Sequence, residues 1–417
     1  MAPTAETSLA GKVLELTVGA VAHGGHCVAR VQDAPGGRVV FVRHALPGER
    51  VRALVVEDAG GSFCRADAVE VLLASPDRVA APCRFAGPGH CGGCDWQHAS
   101  AQAQLALKSS VLREQFHRLA GLDVDVAVEA LPGGLLGWRT RTTYATDRRG
   151  RLGLRRHRSH EVEQLSECLL GAPGIGDASE LSAGWPGVTA IEVARGDEAV
   201  VSRLEHRSGG ARPRHGRRPP DAVRLVDGPA TLTYRAAERE FTVSAGGFWQ
   251  VHPAAADTLC GALLEMLAPG PGEQALDLYC GAGLFTAALA GAVGEEGAVV
   301  GIESNAGAVA DATVNLAGMP WATVRQARVS RGLITDLELR PSLVVLDPPR
   351  AGAGAEIMSA LLDAGPRAIG YVACDPAALA RDVATAVAQG WRMTAIRAFD
   401  AFPMTGHMEC VALLLPG

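Results

Sequence analysis

Strand-length apolar runs alternate with segments of helical spacing along the last third of the chain. The runs read QALDLY, AVVGIE, TVRQA, LVVLD, AIGYVAC and MECVALLL. Alternation of this kind predicts an α/β, Rossmann-like domain with a mostly parallel sheet that is covered by helices on both faces. We expect functional residues at the strand ends, because ligands of open parallel sheets collect there.

A different pattern covers Gly11 to Ala74. Runs such as KVLELTV, RVVFVR and RVRALVV are broken by GG, PGG and LPGE turns, which is typical of short strands. We predict a small closed β-barrel of the OB type, a class that often binds single-stranded nucleic acid. The pattern alone leaves a purely structural β-module equally open. Only Phe41 and Phe63 are available for stacking, so we expect mainly electrostatic contact.

One helix is predicted between these regions, over residues 100–120. Its apolar face consists of Leu105, Leu112, Phe116 and Leu119, which recur at helical spacing. The chain of 417 residues is too long for one core and suggests two or three domains. We predict a barrel, a central α+β domain and a catalytic domain, with the boundaries 1–75, 76–240 and 241–417.

Composition narrows the class of protein. With 48% hydrophobic and 20% charged residues, the chain reads as a soluble globular protein. It has no run approaching the roughly 20 apolar residues of a membrane helix, and the N-terminus lacks the features of a secretory signal. We therefore expect a cytoplasmic monomer without a membrane partner. The formal charge of −6 argues mildly against nucleic-acid binding, although local charge matters more.

Local charge is strongly positive from Trp138 to Arg158. This stretch has eight arginines against one aspartate, with two aromatic residues among them. Such a stretch is the electrostatic footprint expected of RNA contact, and the alternative is a solvated, highly charged hairpin. A second basic stretch, Arg212 to Arg218, has the composition of a flexible loop.

Cysteines cluster in the segment APCRFAGPGHCGGCDWQH. Cys83, Cys91 and Cys94 stand among glycines that leave the backbone loose enough to wrap a metal, and Cys168 is the nearest later candidate for a fourth thiolate. Four thiolates suit tetrahedral zinc or an iron-sulfur cluster, and the spacing does not choose between them. The alternatives are a redox dithiol and buried structural cysteines. We expect the core to contain Cys27, Cys64, Cys260 and Cys410.

The most informative stretch is ALDLYCGAGLFTAA, from Ala275 to Ala288. It reads as a strand, a turn at Gly281 and Gly283, and a helix. A second apolar run stops at Glu303, where a carboxylate can take a ribose hydroxyl pair. A nicotinamide cofactor would fit these features. The run SLVVLDPPR argues against it, because Asp347 and two prolines at a strand end are typical of methyltransferases that present a nucleobase to S-adenosylmethionine.

Two further residues carry candidate chemistry. Cys374 in YVACDPAALARD lies at a strand end before a helix, whose N-terminal dipole is expected to lower the thiol pKa. The alternative is a cysteine that only fills space. Glu409 opens the last apolar run, so it either pairs with a cation or is a base whose pKa burial has raised.

These motifs together resemble the RNA uracil-C5 methyltransferases, which make 5-methyluridine. FWQVH, DLYCGAG, DPPRAG, YVACDPAALARD and HMEC occur in that order, and the stretch GGHCVARV with VFVRHALPGERV resembles the TRAM domain, an RNA-binding barrel. The barrel and the cysteine cluster resemble the subgroup that acts on 23S ribosomal RNA, and transfer RNA is the alternative substrate.

The resemblance implies a role for each matching residue. It implies that Cys374 is the nucleophile and Glu409 the base, and that S-adenosylmethionine is the methyl donor. A [4Fe-4S] cluster is implied on Cys83, Cys91, Cys94 and Cys168. Contacts to S-adenosylmethionine are implied from Gln250, Tyr279, Glu303 and Asp347.

Some positions differ from the residues that are usual in the motifs of this family. His252 and Asp375 stand where asparagine is common, and TVRQARVSR does not end in the residue that often contacts adenine. The rival interpretations are a cytosine-C5 methyltransferase, an exocyclic amino methyltransferase, an inactive RNA-binding homologue and a redox protein. An amino methyltransferase would have an aromatic residue at the position of Arg350.

Overall fold

The computed structural model describes residues 8–31, 37–177, 181–207 and 222–417. The basic stretch predicted at Arg212 to Arg218 lies outside these ranges. The chain forms two compact units. The first comprises Met1–Val111, Leu154–Leu165 and Phe402–His407, and the second comprises Leu112–Gly153, Ser166–Ala401 and Met408–Gly417.

The first unit contains a five-stranded sheet in the order β1-β4-β5-β3-β2. All its neighbouring strands are antiparallel except β3 and β5, which are parallel. Its strands are β1 (Val13–Thr17), β2 (Cys27–Val31), β3 (Arg38–Arg43), β4 (Arg50–Glu57) and β5 (Phe63–Leu73).

This sheet curls so that its two edges meet. The Gly19 N–H donates to the Val28 carbonyl at 2.7 Å, and the Val28 N–H donates to the Ala20 carbonyl at 2.8 Å. Along β4, Val51, Ala53 and Val55 are buried while alternate residues face solvent. This period of two is the one expected of a strand with one face on a core. The predicted small barrel is thus present as a curled sheet.

The predicted helix is observed as α1 (Ala101–Ala120). Leu112 and Phe116 are fully buried, whereas Leu119 is exposed. The expectation that Leu119 belongs to the apolar face was wrong, because the last turn of the helix lies at the surface.

The second unit contains an antiparallel layer in the order β12-β11-β10-β7-β8, and a separate hairpin of β13 and β14. Strand β8 continues from the second unit into the first, where its last residues, Leu154 and Arg155, pair with β9. The strands are β7 (Arg141–Thr146), β8 (Leu152–Arg155), β9 (Val162–Glu163), β10 (Ala190–Arg195), β11 (Val201–Arg207), β12 (Ala222–Asp227), β13 (Thr231–Ala236) and β14 (Arg239–Ser244).

An eight-stranded sheet forms the rest of the second unit, in the order β17-β16-β15-β18-β19-β21-β20-β6. Its strands are β6 (Val128–Ala130), β15 (Gln274–Leu278), β16 (Ala298–Glu303), β17 (Ala322–Gln326), β18 (Leu343–Leu346), β19 (Ala368–Ala373), β20 (Trp391–Asp400) and β21 (Glu409–Pro416). The helices are α2 (Ala255–Leu267), α3 (Leu284–Val293), α4 (Ala306–Asn315), α5 (Arg331–Thr335), α6 (Ala355–Ala364) and α7 (Pro376–Ala388).

All six predicted strands of this domain are present. Strands β15 to β19 run parallel, and every residue of β18 and β19 is buried, as expected for strands covered on both faces. Strand β21 is antiparallel to both of its neighbours, β19 and β20. It therefore brings its first residue to the edge of the sheet at which the parallel strands end.

Cys27, Cys64, Cys260 and Cys410 are buried, which confirms that they belong to the core. Among the described helices, none is both long enough and apolar enough to cross a membrane.

Candidate active site

The glycine-rich turn begins the site, and the predicted strand, turn and helix are confirmed there. Strand β15 ends at Leu278, and α3 begins at Leu284. Gly283 has φ +87°, and a Cβ atom on it would lie 3.3 Å from the Cβ of Ala312. Glycine fits this position because it adopts positive φ without strain. Tyr279 also has a positive φ of 64°.

Glu303, the last residue of β16, lies beside this turn. Its carboxylate accepts hydrogen bonds from the N–H groups of Gly281, at 3.2 Å, and Asn305, at 2.7 Å. The predicted acidic strand end therefore lies beside the glycine turn, and its geometry is fixed by backbone donors.

Asp277 lies in β15, just before the glycine turn, and is completely buried. The Thr286 hydroxyl on α3 donates to its carboxylate at 2.6 Å. Burial raises the pKa of Asp277 to about 7. We infer that Asp277 ties β15 to α3, so that the turn between them is held in one conformation.

The segment containing Gln250 is held close to the glycine turn through α4. Asn315 donates to the carbonyls of Thr242, at 3.1 Å, and Ala282, at 2.9 Å. The Asp311 carboxylate accepts from both the N–H and the hydroxyl of Ser244. These two polar residues of α4 connect the end of β14, which leads to Gln250, with the turn that follows β15.

Gln250 itself is buried, and His252 beside it is completely buried. The His252 Nδ1 accepts from the Ala254 N–H at 3.2 Å, and its ring stacks on Trp138 with 5.9 Å between centroids. Burial lowers the pKa of His252 to about 4, so the imidazole is neutral at physiological pH. His252 thus replaces asparagine as an uncharged group packed within the unit.

Cys374 and Glu409 are brought together by the pairing of β19 with β21. Ala373 lies opposite Cys410 in this ladder. Cys374 directly follows β19, and Glu409 directly precedes Cys410 in β21. The two residues are therefore neighbours. Glu409 is buried, with 5% of its surface exposed, and Cys374 is half-buried.

The thiol of Cys374 has a raised pKa, of about 11. Burial is the largest cause, and the carboxylates of Glu409, Asp347 and Asp375 add to it, whereas Arg350 opposes it. The expectation that the α7 dipole lowers this pKa was wrong. Helix α7 does begin next to the cysteine, with Asp375 as its N-cap, but burial and neighbouring negative charge outweigh the effect of the helix terminus.

Glu409 and Asp347 form the acidic side of the site. Asp347 follows the last residue of β18, and its N–H donates to the Leu278 carbonyl at 3.3 Å. Burial raises the pKa of both carboxyls well above the ordinary range, and for Glu409 the charge of Asp347 adds to the rise while Arg350 opposes it. The charges of Asp347 and Arg350 therefore affect the pKa of both the predicted nucleophile, Cys374, and the predicted base, Glu409.

The cysteine-rich segment lies in the first unit, whereas Cys168 belongs to the second. The Gln97 amide donates to the Cys94 sulfur at 3.1 Å, and the Gly93 N–H approaches the Cys91 sulfur at 3.4 Å. Within the described ranges, no group of three or more Cys, His, Asp or Glu side chains is arranged to hold a metal ion. The predicted metal centre is therefore not confirmed.

The basic stretch folds mainly as the hairpin of β7 and β8, and several of its arginines pair with carboxylates. Arg141 binds Glu192, and Arg151 binds Asp147. Asp147 also accepts from the N–H groups of Arg149 and Arg151, which orders the turn between the strands. Arg148 and Arg149 are exposed at this turn.

Comparison with known proteins assigns both ends of the chain. Residues 231–416 match the family model described as tRNA (Uracil-5-)-methyltransferase, and residues 7–69 match the TRAM domain. The TRAM match confirms the interpretation of the first segment.

Full-length relatives agree with this assignment. An uncharacterized RNA methyltransferase of Streptomyces avermitilis is 48% identical, over 97% of this chain and 99% of the relative. A 23S rRNA (uracil(1939)-C(5))-methyltransferase of Alkalilimnicola ehrlichii is 33% identical, over 96% of each chain.

A solved structure shares the fold. The tRNA (uracil-54, C5)-methyltransferase of Pyrococcus abyssi, in complex with S-adenosyl-L-homocysteine, has a TM-score of 0.67 at 22% identity and covers 96% of this chain and 99% of its own. The order of the motifs, the fold and the full-length relatives agree. The chain belongs to the family of S-adenosylmethionine-dependent RNA uracil-C5 methyltransferases.

Proposed function

We propose that this enzyme methylates C5 of a uridine through a covalent adduct, with Cys374 as nucleophile and Glu409 as base. The observation that supports this most directly is the register of β19 and β21, which makes the two residues neighbours. Uracil C5 is a poor nucleophile on its own. A thiolate that adds to C6 converts the ring into an enolate whose C5 can be alkylated, which splits one difficult step into easier ones.

The proposed methyl transfer proceeds in three steps. The Cys374 thiol releases its proton to solvent, its sulfur forms a bond to C6, and the C5–C6 π electrons move into the enolate. S-adenosylmethionine, when bound, would supply the methyl group that C5 takes up, and S-adenosylhomocysteine would be left. Glu409 then accepts the C5 proton, the electrons of the C5–H bond re-form the C5–C6 double bond, and the sulfur leaves as thiolate.

The electrostatics suit this division of roles. A carboxylate whose pKa is raised by burial is a stronger base than an exposed one, and Glu409 has such a pKa. The thiol pKa of about 11 means that Cys374 is protonated at neutral pH before substrate arrives. Because Arg350 opposes the rise in both pKa values, it is the cation that favours the thiolate.

For the methyl donor we propose contacts from Gln250, Tyr279, Glu303 and Asp347. The support is their placement around the glycine turn and at strand ends of one parallel sheet. The Glu303 carboxylate, held by two backbone donors, can still accept hydrogen bonds from the two hydroxyls of a ribose.

We propose 23S ribosomal RNA as the substrate and transfer RNA as the alternative. A relative that matches 96% of this chain at 33% identity is named for 23S rRNA, whereas the likeness to the transfer RNA enzyme, at 22% identity, is one of fold. Mapping 5-methyluridine in ribosomal and transfer RNA, from cells with and without this protein, tests the choice. A site lost from 23S RNA supports the proposal, whereas a loss confined to transfer RNA contradicts it.

Two surfaces are proposed to contact RNA. In the first unit, the rings of Phe41 and Phe63 are 5.5 Å apart, and the Arg65 guanidinium lies 4.9 Å from the Phe63 centroid. In the second unit, the turn of β7 and β8 presents Arg148 and Arg149. Stacking on aromatic rings and contact with phosphates are the usual means of binding single-stranded RNA.

A double substitution, Arg148→Ala with Arg149→Ala, tests the hairpin turn. Losing two phosphate contacts should reduce the slope of log affinity against log salt by about 2. Arg118→Ala provides the matched control, because Arg118 is an exposed arginine of α1 whose partner is Glu114. An unchanged slope in the double variant would remove the turn from the RNA interface.

The [4Fe-4S] cluster on Cys83, Cys91, Cys94 and Cys168 rests on the family resemblance, and the described residues do not form a group that fits it. No step of the reaction is assigned to it. Iron and sulfide analysis after anaerobic purification decides the question. About four irons per chain would support a cubane cluster, and a colourless protein without iron would refute it.

A further inference from the structure

The loop between β18 and α6 carries two of the charged groups that surround Cys374. It begins with Asp347, continues through Arg350 and ends at Gly354, the N-cap residue of α6. A turn inside it is closed by the Gly352 N–H, which donates to the Pro349 carbonyl at 2.8 Å. Where this loop lies determines where Asp347 and Arg350 act.

Asp382 on α7 binds the far end of this loop. Its side chain is 4% exposed. The Oδ2 atom accepts from the Ala353 N–H at 2.8 Å, and the Gly354 N–H lies 3.1 Å from Oδ1 and 3.2 Å from Oδ2. A buried carboxylate therefore satisfies two consecutive backbone donors that no helix or strand uses.

Tyr371 completes the arrangement from β19. Its hydroxyl donates to the Asp382 Oδ2 at 2.6 Å and accepts from the Ala353 N–H at 3.1 Å. The phenol is completely buried. Three donors thus converge on one carboxylate, and hydrogen bonds to a carboxylate are stronger than those between neutral groups.

The two side chains belong to the elements on either side of Cys374. Tyr371 lies in β19, which ends just before the cysteine, and Asp382 lies in α7, which begins just after it. Their hydrogen bonds connect the turn that carries the thiol to the loop that carries Arg350. Every residue of β19 is buried, and Asp382 is one of the buried residues of α7.

Gly352 shows how closely the loop approaches Asp382. It has φ +86°, and a Cβ atom on it would lie 2.7 Å from Oδ2 and 3.3 Å from the Cβ of Ala378. Asp382 also reaches toward the cofactor side: burial raises the pKa of Tyr279, and the charge of Asp382 adds to that rise. One carboxylate therefore lies close to three parts of the site.

We propose that Asp382 and Tyr371 form a clamp that sets the position of the Asp347–Gly354 loop against the Cys374 turn, and that they act as positioning residues for methyl transfer. This inference rests on the proposed roles of Cys374 and Arg350. Neither clamp residue touches the reacting atoms. Their effect is to fix the backbone of the loop that carries Arg350 relative to the turn that carries the sulfur.

Two variants test the clamp. Asp382→Asn keeps the shape of the side chain but places an amide NH₂ where an acceptor is needed, and Tyr371→Phe removes only the hydroxyl. We expect kcat for methylation, per cofactor-binding site, to fall at least tenfold in Asp382→Asn and about threefold in Tyr371→Phe, as expected when a supporting group lets reacting groups drift. The KM for S-adenosylmethionine should stay within about twofold.

Asp363→Asn is the matched control. Asp363 is an exposed carboxylate of α6 that pairs with Arg331 at 3.1 Å, and its substitution should leave kcat and KM unchanged. A merely structural role would lower the melting temperature and the number of cofactor-binding sites but not kcat per site. If Asp382→Asn does not fold, Tyr371→Phe decides alone. Unchanged kcat per site in every folded variant would overturn the proposal.

Amide hydrogen exchange separates this proposal from the proposed function. We expect the N–H groups of Ala353 and Gly354 to exchange faster in Asp382→Asn than in Asp363→Asn. A wild-type enzyme that methylates no uridine refutes the proposed function but leaves this difference in place. Equal exchange in the two variants refutes the clamp even when the enzyme is active.

Discussion

Glu49 in the first unit and Glu409 in the second are both withdrawn from solvent, at 0% and 5% exposure, yet their surroundings differ. Glu49 accepts two hydrogen bonds from Arg78, at 2.6 and 2.7 Å, and two from the N–H groups of Leu46 and Ser75. Although burial favours its protonated form, these donors hold its pKa below the ordinary value.

Glu409 has no such donors among the contacts described. Burial and the charge of Asp347 raise its pKa, and the opposing effect of Arg350 is smaller. The same type of side chain is therefore held ionised by hydrogen-bond donors in one place, whereas in the other it has the raised pKa that the proposed base requires. The difference teaches that burial alone does not mark a catalytic carboxylate, since the hydrogen-bond donors around it decide.

The largest expected effect follows removal of the sulfur that Glu409 faces. Cys374→Ala should lower methylation by more than about 1,000-fold, because it removes the sulfur that forms the proposed covalent bond, while cofactor binding measured by calorimetry is kept. The control is Cys260→Ala, which removes a buried thiol from α2 and should leave turnover of the folded enzyme unchanged. Activity near the wild-type level in Cys374→Ala would exclude this residue as nucleophile.

Exchanging each glutamate for glutamine tests the comparison itself. Glu409→Gln should lower methylation by about 100- to 10,000-fold, the usual contribution of general base catalysis, and should leave RNA attached to Cys374 as a denaturant-stable adduct on gels. Glu49→Gln should instead cost ~2 kcal/mol in the free energy of unfolding, since it weakens charged hydrogen bonds, with kcat of the folded enzyme preserved. If Glu49→Gln lowered kcat of the folded enzyme and Glu409→Gln lowered only the free energy of unfolding, our interpretation would be contradicted.

The pH dependence of stability should have opposite signs at the two sites. Glu49 has a depressed pKa, so its contribution is present above its ordinary value of 4.5 and is lost as the pH falls through its lower folded pKa. Glu409 has a raised pKa, so its contribution is full below 4.5 and is lost as the pH rises through its folded pKa. Denaturant unfolding of wild type and both glutamine variants from about pH 2 to about pH 8 measures these differences, and parallel curves would refute them.

The smallest effect is expected at an exposed carboxylate. Asp123 is paired with His117 at 2.8 Å, but its side chain is 91% exposed. Asp123→Asn should change the free energy of unfolding by less than about 0.5 kcal/mol and should not alter kcat. A larger change in a thermal melt would mean that hydrogen bonding matters more than burial at this site.

Patterns of neighbouring residues predicted much of the fold. The six strands of the α/β domain, the glycine turn at Gly281 and Gly283, and the helix over residues 100–120 all depend on local periodicity and turn chemistry. The positions of Glu303 and Cys374 at strand ends also follow from the local pattern. Leu119 shows the limit of this reasoning, because the spacing of apolar residues does not say where a core ends.

What the sequence did not predict depends on contacts between distant segments. The clamp of Asp382 and Tyr371, and the link through Asn315 between Thr242 and Ala282, become visible only when the strands are in order. The helix alone predicts a lowered thiol pKa for Cys374, whereas the pKa is raised, because the fold buries the thiol and brings Glu409 and Asp347 close to it. The local sequence predicts which residue types lie at the site, whereas the fold determines the electrostatics of the site.

The place of β21 has a consequence for assembly. It follows every other strand of the sheet in the chain but lies between β19 and β20, and its first residue is Glu409. A chain in which this strand is not yet inserted would present the sulfur of Cys374 without the carboxylate of Glu409. In the proposed mechanism such a species would add to a uridine but would not release it, so insertion of the final strand completes the proposed pair of nucleophile and base.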